Sequence, residues 1–290
     1  MPRIIAALDN GEYRAAIEEI DAYLRRSTAL VVSGYADIPH LRFLLQSLEL
    51  RIESLSDEKA ELERRLITFN RRHDDTLGDL IQRLLKARAE LAQMLVVDRE
   101  RYDKSDKVEA EAAAQEAQSA YQDYFRQHEE LQKAEPLPQL DKEAEQELKA
   151  LYRKACSVCH PDKVSEERKE DANRAFVELQ TAYKGNDLAR VRKIYKTLAS
   201  GGLLATRSTT LSQVDAQKAA IAELEDAIAR LVLELKALQR SDGAMMMDSA
   251  GTTEADWQHF FEQQRDILEM ELISAASQIL AAHKAEIEVS

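Results

Sequence analysis

The chain has 290 residues, with 53 Asp and Glu against 40 Lys and Arg, a formal net charge of −13. That balance excludes nucleic acid as the expected partner of the chain as a whole. With 32% charged residues, 6% aromatics, 8 Gly and 5 Pro, turns are few, and long helices with narrow cores are expected in place of one large globular core.

Residues 3–27 read as two short helices, a small hairpin within a segment 1–34. Asp9-Asn10-Gly11 is a turn signal, and Tyr13, Ala16, Ile17, Ile20 and Leu24 share one helical face. The apolar stretch in MPRIIAALDNGE is too short for a signal peptide. No uninterrupted apolar run approaches the ~18 residues of a membrane span. Residues 28–34 form an apolar connector. Pro39 marks the next boundary and opens a long coiled-coil region, 38–134. Leu41, Leu45, Leu48, Ile52, Leu55, Lys59, Leu62, Leu66 and Phe69 alternate spacings of four and three, the seam of a coiled coil. The phase breaks at 70–75. Thr76-Leu77-Gly78-Asp79 resembles a capping box, and the seam resumes at Leu77, Ile81, Leu84, Arg88, Leu91 and Leu95. A turn near residue 73 is favoured over one continuous helix with a stutter. A second turn is expected at 99–107. A polar helix follows to Lys133, with Tyr121, Tyr124, Phe125, His128 and Leu131 near its end, stopped by Pro136 and Pro138.

The next segment, 141–200, is basic. Between Leu148 and Ser200 there are 12 Lys and Arg and 7 Asp and Glu, so this stretch is +5 and the remainder −18. A basic module inside an acidic chain suits docking on an acidic partner surface. Asp141 can cap a helix running to about Cys159. Its inward face is Leu148, Leu151, Tyr152, Ala155, Cys156 and Cys159; Lys149, Arg153 and Lys154 point outward. Pro161 ends this helix and biases His160 to extended backbone, so His160-Pro161-Asp162 is expected on a tight, exposed turn. Residues 164–169 read as a polar loop. A second helix, from about Lys169 to Lys184, offers Phe176, Leu179, Ala182 and Tyr183 to the first. Gly185-Asn186-Asp187 ends it and starts a third helix carrying Leu188, Val191, Ile194 and Leu198.

A Gly- and Ser/Thr-rich linker is expected at 201–212. A C-terminal coiled-coil or helical hairpin, 213–290, follows. Its seam is Ile221, Leu224, Ile228, Leu231, Leu235 and Leu238. Residues 241–251, with Met245, Met246 and Met247, read as a loop folding onto the neighbouring seam, with a client-binding surface as the other possibility for the three methionines. Thr253 to Asp256 can cap a last helix that buries Trp257, Phe261, Leu268, Leu272, Ala275 and Ile279.

The run Tyr152-Arg153-Lys154, then His160-Pro161-Asp162-Lys163, then Phe176, Leu179 and Ala182-Tyr183, resembles the J-domain of Hsp70 co-chaperones (the Hsp40 or DnaJ-like family). The likeness covers about a fifth of the chain. It is somewhat auxilin-like, within the coiled-coil setting of bacterial J-domain proteins. A lone His-Pro-Asp carries little information; with both flanking helices in register it is specific. The resemblance implies docking on the ATPase domain of a DnaK-like Hsp70 through Lys149, Arg153, Lys154 and Lys163. It implies triggering of ATP hydrolysis by His160, Pro161 and Asp162. It further implies a J-domain core of Leu148, Leu151, Tyr152, Ala155, Cys159, Phe176, Leu179, Ala182 and Tyr183. The family's usual first helix has no counterpart here, and the aromatic cluster 121–131 is a candidate substitute. Cys159 replaces the usual bulky residue before the histidine.

Cys156-Ser157-Val158-Cys159-His160 matches a c-type haem attachment motif. Export is needed for that chemistry, and both cysteines lie on the inward face, so small buried side chains explain them better. A zinc site lacks two further ligands, and a redox Cys-x-x-Cys lacks its βαβ setting. Two cysteines make no disulfide framework, which suits a reducing cytoplasm. Charged faces such as Glu58-Lys59-Glu61-Arg64-Arg65 read as solvated surface.

The expectation is therefore an all-α, elongated protein without cofactor or metal, itself no enzyme. A J-like antiparallel helix pair is embedded between coiled coils that recruit or position a client. The coiled coils can pair within the chain or across a homodimer. The alternative is a coiled-coil scaffold in which the J-like module is only an interaction element.

Overall fold

The computed structural model describes residues 38–99, 104–200, 206–211 and 213–289. The expected hairpin and connector at 1–34 and the Gly-Gly stretch at 201–205 lie outside the described residues. Those described form helices and no strands: α1 (Ile38–Arg99), α2 (Lys104–Lys133), α3 (Lys142–Cys159), α4 (Glu166–Lys184), α5 (Leu188–Ser200), α6 (Arg207–Thr210), α7 (Val214–Gln239), α8 (Asp242–Ala250) and α9 (Glu254–Val289). A 3₁₀ turn, Pro161–Lys163, joins α3 to α4. The chain divides into two units. The first holds 38–64 and Pro138–Arg240 and the second Arg65–Leu137 and 241–289, so α1 contributes to both.

Two cores hold the first unit. In one, Leu148, Tyr152, Ala155, Cys156 and Cys159 of α3 meet Phe176, Leu179, Ala182 and Tyr183 of α4, Val191 and Ile194 of α5, and Ala60 of α1. Each fully buried large side chain here contributes roughly 1.5–3 kcal/mol. Tyr152 stacks on Tyr183 with ring centroids 4.0 Å apart, and His160 meets Phe176 at 4.8 Å. Contacts that advance along α3 retreat along α4, so the two helices are antiparallel. In the other core, Leu41, Leu44, Leu45, Leu48 and Ile52 of α1 pack on Ala220, Ile221, Leu224 and Ala227 of α7. The two apolar seams thus cover each other within one chain along this stretch.

Residues 206–211, expected as linker, are instead packed. Thr206 bridges Val164, and Arg207 and Ser208 are buried. The Glu49 carboxylate accepts from the Ser208 backbone N–H (2.9 Å) and hydroxyl (2.7 Å). α4 begins at Glu166, where a loop to Lys169 was expected; Ser165 occupies its N-cap position, and Glu166 and Glu167 face the positive end of the helix dipole. The left-handed residue after α4 is Asn186 (φ 54°), not Gly185. The Asn186 side chain accepts from Arg64 Nη1 at 3.0 Å and donates to the Pro138 carbonyl at 3.4 Å.

In the second unit the turn expected near residue 73 is absent: α1 is continuous. Gly78 sits inside the helix because the His128 ring of α2 lies against it. A Cβ there would be 2.5 Å from His128 Cε1. The residues that imitate a capping box therefore serve a helix–helix contact. His128 Nδ1 is 2.8 Å from Asp74 Oδ1 and Nε2 is 3.2 Å from Asp79 Oδ1, and Gln132 donates to Asp74 Oδ2. Phe69 packs edge-on against Trp257 (5.2 Å) and tilted against Phe261 (5.3 Å) of α9. The methionine stretch is helix α8, not a loop. Ser241 caps it by accepting from the Ala244 N–H, and Gly251 (φ 99°) ends it. Met247 is buried, Met245 and Met246 exposed. Thr253 and Asp256 cap α9 reciprocally.

Burial disfavours charge on His128, but Asp74 and Asp79 outweigh it and hold its pKa above the ordinary 6.5. Stability from this clip is complete below about pH 6.5 and is lost as pH rises through the raised folded value, because the folded state then holds the extra proton. The melting temperature of the native chain should fall over that alkaline window, by the equivalent of about 1 kcal/mol, and the fall should vanish in His128→Gln. Gly78→Ala should destabilise by about 1–3 kcal/mol through overpacking, although alanine is the better helix former. A melt showing a gain in stability would exclude the close His128 contact.

Candidate functional site

Asp141 caps α3, its carboxylate accepting from the Ala144 N–H at 2.8 Å. Pro161 cannot continue the helix, so His160 leaves it in extended geometry (φ −66°, ψ 122°) and the chain enters the 3₁₀ turn. That turn is not open to solvent as expected. His160 is 3% exposed and Lys163 6%, while Pro161 and Asp162 are half-buried.

The cover is α1. His160 Nδ1 accepts from the Asp162 N–H at 3.3 Å, so in the neutral ring the proton lies on Nε2, which donates to Ser56 Oγ at 2.9 Å. Burial first, then the Lys163 charge, pushes the His160 pKa down to about 4. The ring is neutral at physiological pH.

Three acidic residues, each one helical turn from the next on α1, face the basic residues of α3 and the turn. Glu53 Oε2 lies 2.8 Å from Lys163 Nζ, which also donates to the Ser157 carbonyl (3.3 Å). Asp57 Oδ2 lies 3.8 Å from Arg153 Nε. Glu61 Oε1 lies 3.0 Å from Lys149 Nζ, and Glu61 Oε2 accepts from the Tyr183 hydroxyl at 2.6 Å. Arg64, one further turn part on, reaches Glu145 at 2.6 Å. Of the four expected docking residues, Lys149, Arg153 and Lys163 therefore have acidic partners on α1. Arg153 remains largely exposed, at 70% of its side chain, and Lys154 is exposed. The reading of Glu61 and Arg64 as solvated surface is corrected: Arg64 is buried and Glu61 is half-buried and paired.

The carboxylates of the stripe differ. Burial opposes ionisation of Glu61, but Arg64, the Tyr183 hydroxyl and Lys149 outweigh it and hold its pKa at about 2. Burial dominates at Asp57, assisted by Glu53 and only partly offset by Arg153, and raises it to about 6. Asp57 Oδ1 is buried with no hydrogen bond among the described residues.

The nine expected core residues of the module meet in one cluster, with Leu151 partly buried at its edge. Cys156 belongs there too. Both thiols are free and buried, and burial pushes Cys159 up to about 12 and Cys156 well above its ordinary value. Among the described residues no group of three or more His, Cys, Asp or Glu is arranged to hold a metal. α5 packs on this core through Val191 and Ile194, and α1 through Ala60. Of the aromatic cluster proposed as a substitute first helix, Phe125 and Leu131 are exposed, and Tyr124 stacks on His128.

Sequence reasoning missed Ser56, the Glu53–Asp57–Glu61 stripe, and Arg207. Arg207 donates to the Val164 carbonyl (3.1 Å) and pairs with Glu166 and Glu223. The stripe had a signal, a period of four in acidic residues beside the seam, but a charged face reads as solvated by default.

Residue-resolved NMR titration should give a His160 midpoint near pH 4 and an Asp57 midpoint near pH 6. Between pH 6.5 and about 4 the unfolded state binds the His160 proton more readily, so this residue lowers stability as pH falls through that window. A His160 midpoint above 6.5 would mean that the ring is charged and outside the cover described.

Comparison of the chain with protein-family models, with curated proteins and with solved structures finds no match.

Proposed function

We propose that the chain is a J-domain-type co-chaperone. Its 141–200 module docks on the ATPase domain of a DnaK-like Hsp70 and stimulates ATP hydrolysis through His160-Pro161-Asp162, and the long helices recruit or position a client. The observation that carries this reading is the placement of the tripeptide. It lies at the junction of two antiparallel helices whose facing residues, Tyr152 with Tyr183 and His160 with Phe176, meet directly. The basic side chains of α3 lie beside it. The +5 charge of this stretch suits an acidic docking surface, and Arg153, Lys154 and the half-buried Asp162 offer an accessible starting contact.

One observation favours a second reading. His160 and Lys163 are buried with protein partners, as a purely structural turn would require. On that reading the chain is a helical scaffold and the module an interaction element.

Asp162→Asn separates the two better than a substitution at His160, because loss of the His160 ring also removes the Ser56 and Phe176 contacts. The full chain should accelerate single-turnover ATP hydrolysis by a DnaK-like Hsp70 in a concentration-dependent way. Asp162→Asn should lower that acceleration by about tenfold or more, corresponding to ~1.4 kcal/mol of lost coupling. Acceleration that survives Asp162→Asn undiminished, or none at any concentration from either the native chain or a chain with the α1 acidic stripe neutralised, overturns the co-chaperone reading in favour of the scaffold.

A further inference from the structure

We propose that α1 holds this module closed: the Glu53–Asp57–Glu61 stripe occupies the basic docking face in place of the Hsp70's acidic surface, and engagement requires its displacement. This deepens the co-chaperone reading and rests on it.

The contacts argue for a cover and against a second core. Where α1 meets α7 the contact is apolar, Leu41, Leu44, Leu45, Leu48 and Ile52 against a seam. Eight residues further along, its contribution to the module core is a single small residue, Ala60. Its other side-chain bonds there are polar: Glu53 with Lys163, Ser56 with His160, Asp57 with Arg153, Glu61 with Lys149 and Tyr183, Glu63 with Lys184, and Arg64 with Glu145 and Asn186. Polar interfaces with little apolar area exchange partners readily. Four of these bonds take up side chains that the proposed function assigns to Hsp70, including the histidine of the trigger.

The cover also carries a built-in cost. Asp57 is drawn into the interface with one oxygen unbonded, and its ion pair with Arg153, at 3.8 Å, is the longest of the set. A buried carboxylate left partly unsatisfied weakens the closed state relative to an open one. A tethered competitor acts at high effective concentration. It lowers the apparent affinity of an external partner by the fraction of molecules that are open, and leaves the complex itself unchanged.

That gives a specific kinetic signature. In the full chain, Glu53→Gln, Asp57→Asn and Glu61→Gln together keep side-chain size and remove the stripe's charge. The concentration of chain giving half-maximal stimulation of a DnaK-like Hsp70 should fall about tenfold, with the plateau rate unchanged. Adding Asp162→Asn to the triple variant should abolish the stimulation. If native and triple-variant chains reach half-maximum at the same concentration, or the variant needs more, and both depend on Asp162, the closed state is wrong and the co-chaperone reading stands. If neither chain stimulates, the co-chaperone reading itself fails. Circular dichroism melts establish that the triple variant folds. Should it not, Glu53→Gln alone serves, since that residue holds the buried Lys163 ammonium at 2.8 Å, and a lowered half-maximum is again the supporting result and an unchanged one the refuting result.

Discussion

A buried imidazole has to be satisfied at both nitrogens, and in His160 the two bonds come from different places. The Asp162 N–H, two residues away, satisfies one; Ser56 of α1, 104 residues away in sequence, satisfies the other. That second bond fixes the rotation of α1 about its own axis at this point. Once Ser56 faces His160, helical periodicity brings Glu53, Asp57, Ala60, Glu61 and Arg64 to the same side. Each then has a counterpart: Lys163, Arg153, the module core, Lys149 with Tyr183, and Asn186 with Glu145. Asn186 alone takes the left-handed conformation among non-glycine residues described, and Arg64 bonds its side chain.

α1 thereby changes chemistry along its length. Up to Ile52 its buried face is leucine and isoleucine against α7; from Glu53 to Arg64 its module-facing side is acidic, serine, alanine and arginine. The apolar seam continues past this point on a different face, with Leu55, Leu66 and Phe69 buried. One helix therefore presents two interfaces of different strength, one resembling a core and one resembling a surface association. Arg207, buried and bonded to the Val164 carbonyl, fastens the segment after the turn from the other direction.

Much of this was legible from sequence where the cause was local. Asp141 and Pro161 bound α3 as read, because a cap and a missing N–H act within a few residues. Leu148, Tyr152, Leu179 and Tyr183 announced their burial through spacing. The heptads gave the buried faces of α1 as far as Leu84 and of α7 but not their cover, since a period records a face and not its partner; beyond Leu84 the expected α1 seam slips, with Leu95 exposed and Ala89 and Val96 buried instead. Most of what could not be read was tertiary in origin. Gly78 looks like a helix breaker until the His128 ring is set against it. The three methionines look like a loop until Ser241 and Gly251 bound a short helix. Glu53, Asp57 and Glu61 look solvated until α3 arrives with Lys163, Arg153 and Lys149. At Gly78 and along the acidic stripe a side chain distant in sequence overrides the local preference, whereas the methionine helix is set by its own two ends.

The chain's only two cysteines, Cys156 and Cys159, are wholly buried where α3, α4 and α5 meet. Their thiols are held protonated by burial, so neither is a nucleophile at neutral pH. Alkylation of either therefore requires the core to part first. The molecule carries its own clock: the rate at which a small thiol reagent consumes these two groups measures how often the helices separate, without any label being introduced. Because the clock sits beneath the His160 turn, whatever loosens that core, whether acid, heat or a bound partner, registers as a change in its rate.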